Sequence, residues 1–373
     1  MKITYIISDT DKAIYFENVS LQLRARNIEI NFILINSDKG HFYQFLKTNN
    51  FNVTTLQNSR ISQSWSSIKA CKAILLKQNP DVIHCHLATA NWIGLWAGKL
   101  AKIPSRIYTR HSGKLLRTNF KEGIVDRIQN YLATTIITPT KIIQQYLVSQ
   151  GVAQNKIIVI HHGFDLSRFN DVNQNEITRI KTTYNPNNQR PVIGVISRWL
   201  ELKGIHYIID AFAEIIEKYP NALLCLFGKG NAAEYEQTIL TELKKIPERN
   251  IRIVPFESNV FAIYSLFDAY VHVPINASCE AFGQTFIESL AAGCPAIFTA
   301  SGVAQEFVIN EQNALVVPFE NAAAIKNQIE RILENSELKN KLVTNGKTSV
   351  QPFSIEKHIE KLEKLYNHSG KLI

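Results

Sequence analysis

The 373 residues carry 41 Lys and Arg against 32 Asp and Glu, a net charge of +9, and 45% of them are hydrophobic. That length exceeds what one core usually serves and points to two domains, while the lack of any run of about 18 uninterrupted apolar residues excludes a membrane-spanning helix. The five cysteines, Cys71, Cys85, Cys225, Cys279 and Cys294, are odd in number and show no CxxC spacing, which fits a reduced cytosolic protein and argues against a disulfide framework or zinc site.

In chain order, residues 3–8 read as a first strand. Their apolar run is too short for a signal peptide, and no small-residue cleavage site follows. Residues 13–26 read as a helix, with Ile14, Val19, Leu21 and Leu23 near helical spacing, and 28–35 as a second strand. The rhythm continues with helices over 41–48, 64–77, 88–101, 121–132 and 141–150, alternating with strands over 51–55, 81–84, 105–109, 134–138 and 156–160. Strands and helices of such length in alternation make a doubly wound parallel sheet. The Asn-, Asp- and Thr-rich stretch 165–189 reads as a linker or irregular edge. A second series then starts: strands over 191–196, 222–227 and 251–255, helices over 204–218, 232–245 and 260–267. Helices are expected over 322–335 and 337–345, and a last amphipathic one from Pro352 to Leu365 packs on the second domain or crosses back to the first.

The charge is uneven. Through Asn170 the chain holds 21 Lys and Arg against 9 Asp and Glu, and beyond it 20 against 23. Arg106, Arg110, Lys114, Arg117, Lys121 and Arg127 concentrate the excess. Such a patch suits anionic lipid, a phosphate-bearing or acidic acceptor or nucleic acid, or is simply a solvated basic surface. It lacks the interleaved aromatics of a nucleic-acid binder.

Several strand ends carry polar chemistry. Asp81-Val82-Ile83-His84-Cys85-His86 puts two histidines on one face; they are a metal pair or crevice-lining or core residues, and no acidic or thiolate partner follows at ligand spacing. Thr109-Arg110-His111 ends the next strand, so His111 is either a neutral donor or acceptor aimed into a crevice or a satisfied structural histidine. In Ser197-Arg198-Trp199-Leu200-Glu201-Leu202-Lys203-Gly204, two cations bracket a loop that ends in Gly at a helix start, which suits a diphosphate. Gly228-Lys229-Gly230 falls short of a dinucleotide fingerprint or a P-loop.

The densest stretch runs from Pro274 to Val308. A strand over 269–274 leads through a loop and a helix over 283–292 into an apolar run at 296–299, and open parallel sheets bind ligands at such strand ends. Ala281-Phe282-Gly283 lets the backbone turn sharply into the helix, so that Phe282, Gly283 and Gln284 offer free amides to an anion. Glu288 interrupts the apolar face of Phe286, Ile287 and Leu290, where an unpaired carboxylate would be costly. On spacing alone, Glu280 and Glu288 are a functional pair, or a helix N-terminal acid and an unrelated surface residue.

Taken together, these stretches resemble the retaining glycosyltransferases of the GT-B class, family 4 (glycosyl transferases group 1). Glu280 to Glu288, EAFGQTFIE, resembles that family's E-x7-E signature, and SRWLELKG its phosphate-binding loop. SGVAQEFV from Ser301 and NALVVP from Asn313 resemble two further blocks. The resemblance implies an α/β GT-B fold of two Rossmann-like doubly wound parallel-sheet domains facing each other across a cleft. Residues 1–170 would bind the acceptor, 171–190 would link, and 191–351 would bind the nucleotide-sugar, with helix 352–367 crossing back onto the first domain. Arg198 and Lys203 would hold the diphosphate, together with Phe282, Gly283 and Gln284. Glu288 would bind the ribose hydroxyls, and Glu280 would sit against the transferred sugar with His111 reaching it from the first domain. Arg110, Lys114, Arg117 and Lys121 would form an acceptor or membrane patch. No metal and no cofactor beyond the nucleotide-sugar are expected.

Two motifs depart from the family. Asp9-Thr10-Asp11-Lys12 replaces its Gly-Gly, and only Gly163 of its Pro-Asn-Gly survives, in His161-His162-Gly163. The activity so implied is transfer of a hexose-type sugar from a UDP- or GDP-sugar, with retention, to a glycan or lipid-linked acceptor. Bacterial surface-polysaccharide or lipopolysaccharide assembly at the inner face of the cytoplasmic membrane is the expected setting. The alternatives are a nucleotide-sugar epimerase and a non-catalytic nucleotide-sugar-binding protein.

Overall fold

The structure, a computed structural model, describes residues 1–57, 64–111, 120–230 and 233–369, without the side chains of 120–122, 233 and 369. The chain divides into two compact units, Met1–Phe164 with Phe353–Ile373, and Asp165–Pro352.

The first unit is built on seven strands: β1 (Lys2–Ser8), β2 (Glu29–Ile35), β3 (Asn52–Leu56), β4 (Val82–His86), β5 (Ser105–Thr109), β6 (Thr135–Thr138) and β7 (Ile157–Val159). They lie in the order β3-β2-β1-β4-β5-β6-β7, every pairing parallel. A parallel sheet covered on both faces needs apolar residues on both sides of each strand, and β1 shows the division. Ile3, Tyr5 and Ile7 join Phe32 and Leu34 in one core layer, while Ile6 joins Ile33, Ile83 and Cys85 in the other, as the two-residue period of a strand requires.

The C-terminal helix Ile355–Ser369 completes the first layer with Ile355, Ile359, Leu362 and Tyr366. It therefore crosses back. Gly163, the residue kept from the departing family motif, lies where this helix passes: a Cβ there would come within 2.5 Å of the His358 Cβ. Asp11, in the other departing motif, accepts the His41 N–H at 3.0 Å at the start of the helix His41–Thr48.

The second unit has six strands: β8 (Val192–Ile196), β9 (Leu223–Phe227), β10 (Ile251–Val254), β11 (Ala269–His272), β12 (Ala296–Phe298) and β13 (Leu315–Val316). Their order is β10-β9-β8-β11-β12-β13, again all parallel. The helix Ile205–Lys218 buries Ile205, Ile208, Ile209, Phe212 and Ile215, one stripe at three- and four-residue spacing, each side chain contributing about 1.5–3 kcal/mol by burial.

The stretch 165–189 is not an irregular linker. It sorts with the second unit and contains the helix Gln174–Tyr184. Its polarity hid the helix from the sequence pattern. Asn173 caps it by accepting the Asn175 N–H, Ile180 is its only buried residue, and Arg179 forks onto both carboxylate oxygens of Glu257 at 3.0 and 3.1 Å.

Candidate functional site

In the second unit, β8 and β11 are neighbours although two strands separate them in sequence, so the chain leaves them in opposite directions and a crevice opens beyond their carboxyl ends. Two loops meet there. The loop after β8 makes a 3-10 turn at Glu201–Lys203 and then passes through Gly204 at φ 67°. A Cβ on Gly204 would stand 2.2 Å from the Val273 carbonyl oxygen, so only glycine lets the loop lie this close to the end of β11. The Ile275 N–H donates to the Leu202 carbonyl at 3.1 Å and fixes the same approach.

This packing brings Lys203 to Glu280. Its Nζ donates to Glu280 Oε1 at 2.5 Å, and His272, at the end of β11, donates from Nε2 to that same oxygen at 2.8 Å. Glu280 is buried and its own N–H reaches Ser301 Oγ at 3.3 Å. Burial alone would raise the carboxyl pKa, but His272 and Lys203 reverse that and hold it down at about 2. Burial keeps the His272 imidazole below its usual range, hence neutral with its proton on Nε2. Glu280 is thus a fixed carboxylate with both donors on one oxygen.

Glu288 lies in the helix Gln284–Ala291, which starts one residue later than expected, after Gly283 at φ 88°. It is half-buried, and its Oε2 accepts from the Tyr264 hydroxyl at 3.1 Å. Burial pushes its carboxyl up to about 7, with Tyr264 opposing. Between the two glutamates runs a row of rings, Tyr264 to Tyr270 at 5.5 Å and Tyr270 to His272 at 6.3 Å between centroids. Glu280 hangs on one end and Glu288 on the other. Of the remaining expected donor residues, Phe282 is buried, Gln284 is exposed, and Arg198 is exposed with no side-chain partner among the described residues. Lys203 and Glu280 therefore meet, whereas neither Arg198 nor Glu288 bonds to that pair among the described residues.

Sequence reasoning missed His272, Tyr264 and Tyr270. His272 carried the same signal as His86 and His111, a histidine closing an apolar strand.

In the first unit the strand ends carry a histidine cluster. His84 is buried between the Tyr366 hydroxyl at 2.6 Å and Thr109 Oγ1 at 2.8 Å. His86 is buried beside it and its Nδ1 lies 3.1 Å from His111 Nε2. His111 is half-buried and stacks on His162. Desolvation lowers the pKa of all four, that of His111 to about 4, so they are neutral imidazoles at neutral pH. The double histidine of β4 is thereby a pair of core residues, and among the described residues no group of three or more His, Cys, Asp or Glu is placed to hold a metal ion.

The basic patch changes most. Arg110 is buried, with its Nη1 2.9 Å from Asp126 Oδ2 and its guanidinium 5.4 Å from the Tyr146 ring. It therefore belongs to the interior and not to a solvent-facing patch. Arg106 is spent on the carbonyls of Ile103 and Leu132. Arg127 is exposed, while Lys114, Arg117 and the Lys121 side chain lie outside the described residues. No described helix is long and apolar enough to cross a membrane.

With this geometry in place, comparison with known proteins identifies the class. Residues 176–349 match the model for glycosyl transferases group 1, and residues 13–168 match that for Glycosyltransferase Family 4. The chain belongs to family 4 of the GT-B glycosyltransferases. It is 26% identical over 363 residues to the capsular polysaccharide biosynthesis glycosyltransferase CapM of Staphylococcus aureus, covering 92% of this chain and 91% of the relative. It is also 26% identical to the alpha-monoglucosyldiacylglycerol synthase of Acholeplasma laidlawii, over 77% of this chain and 75% of that one. The crystal structure of Anabaena HepE in complex with UDP shares the fold, with a TM-score of 0.84 at 18% identity over 99% of this chain and 100% of that one.

Proposed function

We propose that the chain transfers a hexose-type sugar from a UDP- or GDP-linked donor, with retention at the anomeric carbon, to a glycan or lipid-linked acceptor in surface-polysaccharide assembly. The observation that carries this reading is the meeting of Lys203, His272 and Glu280 beyond the ends of β8 and β11. A carboxylate locked as an anion beside a lysine can accept a sugar hydroxyl while the lysine meets the leaving diphosphate. Negative charge grows on that diphosphate as the glycosidic bond breaks, and cations already in place stabilise it where it appears.

Lys203 is shared between Glu280 and a phosphate oxygen, and Arg198 supplies the second cation from the same loop. Glu288 accepts the ribose hydroxyls. His111 is assigned a part in the transfer, and no divalent metal takes part. HepE is crystallised with UDP and with UDP-glucose, which favours a uridine donor. The basic excess before Asn170 and the likeness to an alpha-monoglucosyldiacylglycerol synthase support a lipid-borne acceptor at an anionic membrane surface.

Calorimetry with UDP, GDP and their sugars tests the donor site. Lys203→Ala and Glu288→Ala each weaken nucleotide binding by on the order of 100-fold, about 2.7 kcal/mol, and unchanged affinity removes them from the site. The anomeric configuration of the product tests retention, and turnover that stops with a chelator overturns the metal-free step. Conversion of the donor into another nucleotide-sugar without an acceptor favours the epimerase alternative, whereas release of free nucleotide only when an acceptor is present favours transfer. Flotation with anionic vesicles tests the surface, and indifference to lipid charge and salt counts against it.

A further inference from the structure

His86 has no task in the reaction as described so far, yet it is fully buried and one of its nitrogens has no partner among the described residues. Its Nδ1 lies 3.1 Å from His111 Nε2, and its Nε2 is a buried atom with no hydrogen bond among the described residues. The ring is packed against Phe16 at 4.8 Å, Tyr5 at 5.3 Å and His84 at 4.0 Å between centroids, so no solvent reaches the orphan nitrogen.

A neutral imidazole carries one N–H, which leaves two self-consistent arrangements of the pair. If His111 donates from Nε2, then His86 accepts on Nδ1 and must bury an N–H on Nε2 with nothing to receive it. If His86 donates from Nδ1, its Nε2 is a bare lone pair and His111 must carry its own proton on Nδ1. Orphaned buried N–H groups are the rarer and costlier fault.

We infer that His86 is a positioning residue that donates its Nδ1–H to His111 Nε2, so that His111 presents Nδ1–H to the substrate as a hydrogen-bond donor and not as a base. This rests on the assignment of His111 to the transfer reaction. A neutral donor can stabilise a sugar or phosphate oxygen that gains charge, and it cannot take a proton from the acceptor hydroxyl through the nitrogen that His86 occupies.

The test is long-range 1H–15N spectroscopy of the full chain labelled on histidine, with His111→Gln identifying the His111 signals. Nδ1 protonated and Nε2 bare at neutral pH is the expected result, and the reverse assignment or a charged ring overturns it. In His86→Phe the His111 tautomer changes and kcat falls by on the order of 10–100-fold while KM for the donor holds. In His86→Asn the amide nitrogen stands where Nδ1 stood, so the tautomer returns with kcat within a few-fold of the parent. A His86→Phe protein that keeps the parental tautomer and rate sinks the inference. If that variant fails to fold, the spectrum of the parent protein decides alone. The tautomer is read without any donor, so a chain that transfers no sugar would refute the proposed activity and leave this measurement standing.

Discussion

Glu280 and Glu288 are eight positions apart and sit in opposite electrostatic surroundings. Glu280 is held down at about 2 by His272 and Lys203 against the cost of burial. Because that value lies below the ordinary 4.5, its contacts stabilise the fold above about pH 4.5 and the benefit is lost as pH falls toward 2. Glu280→Gln is expected to flatten that part of the stability profile by about 3 kcal/mol at most, read by urea unfolding between pH 5 and 3; a parallel profile refutes the pairing. Glu288 is pushed up to about 7 by burial. A ribose hydroxyl that donates to it favours the charged form, so UDP binding at pH 7 is expected to release protons. Calorimetry in buffers of different ionisation enthalpy measures this, and Glu288→Gln abolishes it. Heat that does not depend on the buffer would place the ribose elsewhere.

At the scale of elements, the loop from β8 works because of one left-handed residue. Gly204→Ala forces a Cβ against the Val273 carbonyl at 2.2 Å, with strain of about 1–3 kcal/mol. It is expected to withdraw Lys203 from Glu280, to weaken UDP binding at least 10-fold and to lower the melting temperature. Intact affinity would show that the loop has slack. Much of this element was legible in the sequence, since two cations before a Gly at a helix start have a physical reason to exist. The strand rhythm was legible too, because strands buried on both faces must be apolar throughout.

The helix Gln174–Tyr184 was not legible. Its stability comes from Arg179 and Tyr184 reaching Glu257, a partner more than seventy residues away that no local pattern announces. The same blindness hid the fate of Arg110, whose counter-charge Asp126 lies on another element, and the service of His272 to Glu280 across a loop.

At the scale of the molecule, the two units share one strand order over six strands, and the first adds a seventh and a cluster of buried histidines. In the first, His84, His86, His111, His162 and His358 are all held below the usual 6.5, chiefly by burial, with His111 and His358 near 4. The folded unit therefore binds fewer protons than its unfolded chain between those values. Its stability is present above about pH 6.5 and is lost as pH falls toward 4. Unfolding of the first unit is expected to take up more than one proton across this window, seen as an early loss of hydrogen-exchange protection in 1–164. Protection independent of pH would mean that the cluster is solvated.

The helix Ile355–Ser369 joins this cluster through Tyr366, bonded to both Tyr5 and His84, and through His358, bonded to Tyr15. Those residues are synthesised only after all of Asp165–Pro352 has been translated. While translation continues, the apolar layer of Ile3, Tyr5, Val19 and Leu23 that Ile359 and Leu362 will join stays incomplete. The first half of the nascent polypeptide therefore closes its own interior only once the second half has been made.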